Sequence, residues 1–485
     1  MSLKRNTLYN LTGSLTLIGV SLVTIPLYLH LIGNARYGVL AIVLLLLGYF
    51  NFFDLGLARA TANRIAQLHD APPVERERVF WTALALNACF GLAGGLVLYG
   101  VAGVGLAHFF KMPESMRVEV LSTLPWLAAS VPVATISGVL TGTLEGRERF
   151  GVVNSLQVLG SLLFQITPLT VAYVHGPNLN WLIPAAILAR TASMLPLAAA
   201  VTHALPLRGA GGPQRALAKR LLSYGGWVTA TSLVGPALET LDRLLIGTVL
   251  GAASVTYYTV PSELASRFRI LPGAIARSLF PRMSSQSADD ASRQTADSLR
   301  ILAALMTPLI VLGILVMAPF LKLWVGAEFA ADGAPVGQII LVGVWINSLA
   351  FLPYTQLQSQ GRPDLVAKFH LLELAPFVGL LWLGLTTLGL VGAALVYSLR
   401  GAVDAGLLFW ASGQWPQLRA VWPGAGLVLA AWGAVQLAHT PGALLLVGIP
   451  LSIGSVVLAW RGTSRTRMKT AKSAGQYKPL AKIER

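Results

Sequence analysis

The sequence predicts an all-α polytopic membrane protein of about 14 transmembrane helices, and three observations predict it. First, 55% of the 485 residues are hydrophobic and only 12% are charged, with a mean hydropathy of +0.66. Soluble domains carry roughly 25% charged residues, so an ordinary soluble enzyme, a disordered chain and a coiled coil are excluded. Second, long apolar runs recur about every 35 residues, enough for a ~20-residue span and a connection. Third, the basic residues segregate. With the N-terminus inside and the spans alternating, 26 of the 36 Lys and Arg fall on the inner side and four on the outer side. A missed span would scramble that bias, so it supports both an even count and two cytoplasmic ends.

The spans follow in order. Lys4 and Arg5 precede an apolar run at 8–31. It is longer than the ~7–15-residue core of a signal peptide, so it is read as a retained span. Further runs bounded by charge, Pro or Gly lie at 37–57, 80–110, 120–143, 151–174 and 181–204. A second set lies at 222–250, 253–280, 299–321, 336–358, 369–387 and 389–411, and two more at 421–438 and 441–460. Trp81, Trp181, Trp227, Trp324, Trp422 and Trp460 fall near span ends, where interfacial Trp belongs. The domain reading is an N-terminal six-helix lobe (1–204), a basic cytoplasmic linker (205–221), a second six-helix lobe (222–411), two extra helices (412–460) and a basic cytoplasmic tail (461–485).

A shift of 218 residues lays the first lobe on the second. Gly33 falls on Gly251, Arg64 on Arg282 and Phe80 on Ser298. Six spans is an even number, so the two copies share one orientation. They form a parallel pseudo-two-fold repeat, which predicts a cavity between the lobes near the midplane.

Charges inside spans are costly and mark candidate sites. The basic candidates for binding an anionic headgroup are Arg190, Arg243, Arg267, Arg269 and Arg400, because the guanidinium fork matches phosphate oxygens. The acidic candidates for coupling or gating are Glu239, Asp242, Glu263 and Asp404. Glu239–Arg243, Glu263–Arg267 and Arg400–Asp404 are each spaced i, i+4, so each pair can neutralise itself on one helix face. Structural pairing and a polar pathway both account for them. Arg190, Asp242 and Arg269 have no opposite charge at that spacing and are the sharper candidates. Glu373, Arg277 and Asp54 lie near span ends, where snorkelling accounts for the first two and the nearby Arg59 for the third. Pro26, Pro236, Pro261 and Pro272 sit inside spans and kink them.

No catalytic chemistry is legible. The sequence has no Walker loop, no GxSxG and no HExxH, and Cys89 is its only cysteine. No enzyme activity, metal site or cofactor is expected. The excess positive charge reports topology rather than a nucleic-acid partner. Gly91 and Gly95 are read as a close helix contact.

The segment LDRLLIGTVLGAASVTYYTVPSELASRFRILPGAIARSLFPRMS at 241–284 resembles the seventh and eighth helices of the polysaccharide transporter family. The opening NTLYNLTGSL, IGNARYGVL and FDLGLARATANRIAQ is similar to that family too. The family comprises the O-antigen and exopolysaccharide flippases of the multidrug/oligosaccharidyl-lipid/polysaccharide exporter superfamily. The resemblance implies twelve core helices plus two, working by alternating access in the bacterial cytoplasmic membrane. It implies an undecaprenyl-pyrophosphate-linked oligosaccharide as cargo and a polymerase, chain-length regulator or ligase as partner, while the acidic candidates inside the spans are read as carriers of a coupling Na⁺ or H⁺. Asp242 and Arg243 form its DR pair, tied to the cavity or its gating. Two rivals are kept: a cation-coupled multidrug exporter of the same superfamily, and a non-transporting membrane scaffold for glycan assembly.

Overall fold

The computed structural model describes residues 3–49, 54–68, 70–205, 207, 211–222, 234–437 and 448–456. All the regular structure in them is helical. The chain divides into two compact units, Met1–Thr256 and Tyr257–Arg485.

The first unit begins with α1, Leu3–Tyr49, whose helix breaks at Gly33. Gly33 has φ +75°, a conformation that costs glycine nothing. The chain turns there and brings Tyr28 and Tyr37 to 5.9 Å between ring centroids. There follow α2 (Leu57–Gln67), α3 (Pro73–Val104), α4 (Glu114–Ser122), α5 (Leu124–Gly146), α6 (Phe150–His175) and α7 (Leu179–Ala204). A short helix, α8 (215–222), precedes α9 (Val234–Val249). The core lies among α2, α3, α5, α6 and α7, with Leu57, Phe80, Val139, Leu144 and Val201 buried.

Glycines set the closest approaches. A Cβ on Gly91 would lie 2.5 Å from Pro132 Cα, and one on Gly95 would lie 2.5 Å from the Ala128 carbonyl. The Gly91–Gly95 pair is therefore the close contact of α3 with α5 that the sequence predicts.

The second unit begins inside α10 (Ala252–Ser266), which tightens into a 3₁₀ turn at Arg267–Arg269 before α11 (Ile270–Ser284). Pro272 accounts for the break, since its ring cannot follow an α-helical carbonyl at Phe268. The long helices α12 (Ala288–Trp324) and α13 (Ala327–Ser359) come next. Then α14 (Pro363–Ala411) reverses at Gly389, φ +61°. Its halves pack back to back, so that a Cβ on Gly392 would lie 2.0 Å from the Gly384 carbonyl. Two helices complete the unit, α15 (Leu418–Leu437) and α16 (448–456). Polar pins hold it where lipid offers no hydrophobic drive. Trp345 Nε1 donates to Thr307 (3.1 Å), Ser398 to the Ile339 carbonyl (2.9 Å) and Gln356 to the Ser412 carbonyl (3.1 Å).

Nine helices among the described residues are long and apolar enough to cross a membrane. The sequence reading expects fourteen spans, and the difference is local. Gly33 and Gly389 each join two expected spans into one helix. Spans seven and eight are described as the shorter pieces α9, α10 and α11. The expected span at 441–460 lies mostly outside the described residues, as does the tail at 461–485. The exposed side chains are those of a membrane protein, with Leu96 at 75%, Leu195 at 71% and Leu372 at 69% exposure. Gly33 and Gly251, superposed by the 218-residue shift, both have positive φ. Arg64 and Arg282, superposed by the same shift, both sit in the last turn of a helix.

Glu119 of α4 ties three elements of the first unit together. Arg36 Nη2 donates to its Oε1 at 2.7 Å and Arg36 Nε to its Oε2 at 3.2 Å, while the Leu179 N–H donates to Oε2 at 3.1 Å. Burial disfavours this carboxylate, but the Arg36 and Leu179 hydrogen bonds outweigh burial and hold its pKa below the usual glutamate value. The folded pKa is depressed, so the stabilisation is complete above the unfolded value and is lost as pH falls through the folded one. Glu119→Ala strands Arg36 and the Leu179 amide and is expected to cost about 1–3 kcal/mol. The check is thermal unfolding in detergent against pH. The wild type should lose stability on acidification, and Glu119→Gln should flatten that part of the profile.

Candidate functional site

A cavity of about 620 Å³ opens among α2, α5, α6 and α7, within the first unit. Its shape starts from glycines. Gly138, Gly142 and Gly146 recur every fourth residue on one face of α5. A Cβ on Gly142 would lie 2.3 Å from the Ala58 carbonyl, and one on Gly146 would lie 2.7 Å from the Ala62 carbonyl. This stripe lets the short helix α2 lie directly on α5. Asp54 fixes the start of α2, because both its oxygens accept from the Ala58 N–H at 3.0 Å.

Four charged groups line the cavity: Asp54, Arg59, Glu145 and Arg190. Asp54 is buried, Arg59 is exposed, and the other two are half-buried. Arg190 is anchored by a 2.7 Å hydrogen bond from Nη1 to the Leu47 carbonyl. Among the described residues, none of the four makes an ion pair within 4.0 Å. The rest of the polar wall is neutral. Ser137 and Thr141 stand on α5 and Gln157 and Ser161 on α6, each couple spaced i, i+4.

Of the nine site residues expected from sequence, Arg190 lines this cavity. Asp242 is buried in α9 and its Oδ1 accepts from the Arg243 N–H at 2.7 Å. Arg243 is half-buried, and the Glu239 side chain lies outside the described residues. In the second unit, the Arg269 guanidinium lies over the Phe351 ring at 5.8 Å, and Arg267 is exposed.

Two expected ion pairs are corrected. Among the described residues, no ion pair within 4.0 Å joins Glu263 to Arg267. Residue 267 begins a 3₁₀ turn, whose twist carries it off the α-helical i, i+4 line. Arg400 and Asp404 do not pair either, because the α14 hairpin offers other partners. Arg400 lies over the Phe377 ring at 5.2 Å, and Asp404 Oδ1 lies 3.6 Å from His370 Nε2. Glu373 completes this cluster. Sequence reading lets it snorkel, but the hairpin encloses it at 6% exposure. Both its oxygens are buried without a hydrogen-bond partner.

Sequence reasoning did not assign Arg59, Glu145, Gln157 or the cavity hydroxyls. Their signal was available as the Gly138–Gly142–Gly146 stripe and the polar positions one turn apart on α5 and α6.

Comparison with known proteins agrees with this architecture. The family profile described as "Polysaccharide biosynthesis protein" matches residues 30–331. A candidate O-antigen transporter of Shigella flexneri is 28% identical over 411 residues, covering 84% of this chain and 97% of the relative. The candidate flippase AglR of Haloferax volcanii is 22% identical over 371 residues, covering 75% of this chain and 74% of the relative. Among solved structures, the lipid II flippase MurJ in an inward closed conformation matches with a TM-score of 0.71 and 13% identity, over 95% of this chain and 99% of that one. An inward-facing multidrug resistance transporter of the MATE family, in the MOP superfamily, matches with a TM-score of 0.67 and 15% identity, over 87% and 96%. The fold is thus that of the polytopic MOP transporters, and the relatives are named for transport rather than catalysis. With the profile covering more than half its length, the chain belongs to the polysaccharide biosynthesis protein family of multi-pass membrane proteins.

Proposed function

We propose that this protein is a flippase that moves an undecaprenyl-pyrophosphate-linked oligosaccharide from the cytoplasmic to the outer leaflet of the bacterial cytoplasmic membrane. The observation that carries this reading is the cavity among α2, α5, α6 and α7. It brings two guanidinium groups, two carboxylates and several hydroxyls together around one space between long apolar helices. Hydrocarbon gives no reason to keep such groups, whereas a polar headgroup in transit does. Two six-helix lobes, joined by the cytoplasmic linker, alternate in access to the two sides. Both termini stay cytoplasmic, and the unit is handed to a polymerase, chain-length regulator or ligase. The remaining arginines, Arg243, Arg267, Arg269 and Arg400, contact the phosphates along the route, and Glu239, Asp242 and Glu263 gate it.

Coupling to an ion has its own support in the α14 hairpin. Glu373 has two buried oxygens without a donor, and beside it Asp404 Oδ1 has no hydrogen bond and only His370 Nε2, at 3.6 Å, as a possible ion partner. Such carboxylates are costly unless a cation neutralises them. A proton or Na⁺ bound there gives the transport cycle its driving force.

The test is a deletion strain. Its lipid extract should accumulate the undecaprenyl-linked unit on the inner leaflet while surface polysaccharide is lost. Normal surface glycan with new drug sensitivity would instead favour the multidrug exporter.

A further inference from the structure

We infer that the cavity of the first unit is a saccharide subsite, which takes hydroxyl-bearing rings of the cargo while the phosphates sit elsewhere. This rests on the transport reading above and says which part of the headgroup enters the cavity.

Charge is the first argument. Arg59 and Arg190 are matched by Asp54 and Glu145, so the charged lining is neutral on balance. A diphosphate carries several negative charges and needs a surplus of cations. Here its oxygens would face two carboxylates, which repel them. A sugar hydroxyl both donates and accepts, so it uses a carboxylate and a guanidinium equally well.

The second argument is what the neutral groups are doing. Ser and Thr inside helices commonly bond back to a carbonyl one turn earlier. Thr61, Thr143 and Thr191 do so at 2.7, 2.8 and 2.8 Å. Ser137, Thr141 and Ser161, on the cavity wall, make no hydrogen bond among the described residues, and neither does Gln157. Four uncommitted hydroxyl and amide groups thus surround one space. Sites that select hydroxyl-bearing ligands are built this way, because every ligand hydroxyl meets an open partner.

Size and surface are the third. About 620 Å³ lies within the ~300–1,000 Å³ range of small-molecule sites and leaves room for more than one sugar ring. Phe164 and Leu197 supply apolar surface for the C–H faces of those rings.

The test uses the host's own glycan. Lipid-linked material from the deletion strain is cleaved by mild acid between phosphate and sugar, giving the free oligosaccharide. Its affinity for the full chain in lipid nanodiscs is measured by calorimetry, with inorganic pyrophosphate as competitor. The free oligosaccharide should bind and pyrophosphate should not displace it. Thr141→Val combined with Gln157→Ala should weaken binding about tenfold or more, as loss of hydrogen bonds predicts. If that variant unfolds early, Ser137→Ala should show a smaller loss in the same direction. Displacement by pyrophosphate, wild-type affinity in the folded variants, or no binding of the free glycan while the intact lipid-linked unit binds would each overturn the subsite but leave transport standing. No lipid-linked glycan in the deletion strain overturns the transport reading, and the subsite with it.

Discussion

Arg190→Ala is expected to abolish export of surface polysaccharide while leaving the protein folded in the membrane. Arg190 stands on α7 at the cavity wall, and its guanidinium is held in place by the Leu47 carbonyl. Removing it leaves Asp54 and Glu145 opposed only by Arg59, so the cavity turns acidic. It also removes a charge-assisted donor, worth about 1.5–3 kcal/mol, or roughly ten- to a hundredfold in affinity. Arg190→Lys keeps the charge and loses the planar fork, so it should recover part of the activity and no more. The measurement is surface glycan on a gel beside a quantified membrane level of the variant. Wild-type export by a well-expressed Arg190→Ala protein would remove the cavity from the transport path.

Gly142→Val should be the most damaging single substitution on the α5 face. Its Cβ would lie 2.3 Å from a backbone oxygen and 3.0 Å from the carbonyl carbon of Ala58, and neither atom belongs to a flexible side chain. The helices must part, at a cost of about 1–3 kcal/mol or more. Parting them moves α2, and with it Arg59, away from the cavity. Thermal unfolding in detergent should show a clear loss of stability together with lost export. Gly100→Ala is the control, because a Cβ there meets nothing within 4 Å, and it should be neutral or slightly stabilising. Equal melting of the Gly142→Val and wild-type proteins would mean that α2 is not held on α5 by this stripe.

The fold was legible because the bilayer imposes a coarse, strong code. Apolar length and basic asymmetry depend on one solvent, and they mark the helices without any knowledge of packing. Even the turns could be located: Gly33 and Gly251, paired by the 218-residue shift, both adopt positive φ. The site was harder, for a physical reason. Spacing along a straight helix predicts partners one turn away, and here the partners came from the opposite arm of a hairpin. Asp404 meets His370 across the α14 hairpin, and Arg400 meets Phe377. Glu373 sits near a span end in sequence, yet the hairpin encloses it. Arg190 was found because a charge in hydrocarbon stands out by itself. Ser137, Thr141 and Ser161 do not stand out, since helical hydroxyls are ordinary until their hydrogen bonds are traced.

The most direct measurement is translocation by the purified protein in liposomes. Lipid-linked glycan from the deletion strain is placed in both leaflets, and the fraction open to an external glycosidase is followed over time. The wild-type protein should raise that fraction from about half toward all of the glycan, as flipping replenishes the outer leaflet. Arg190→Ala should leave it near half. A wild-type trace that coincides with protein-free liposomes, with or without an imposed ion gradient, would contradict the account.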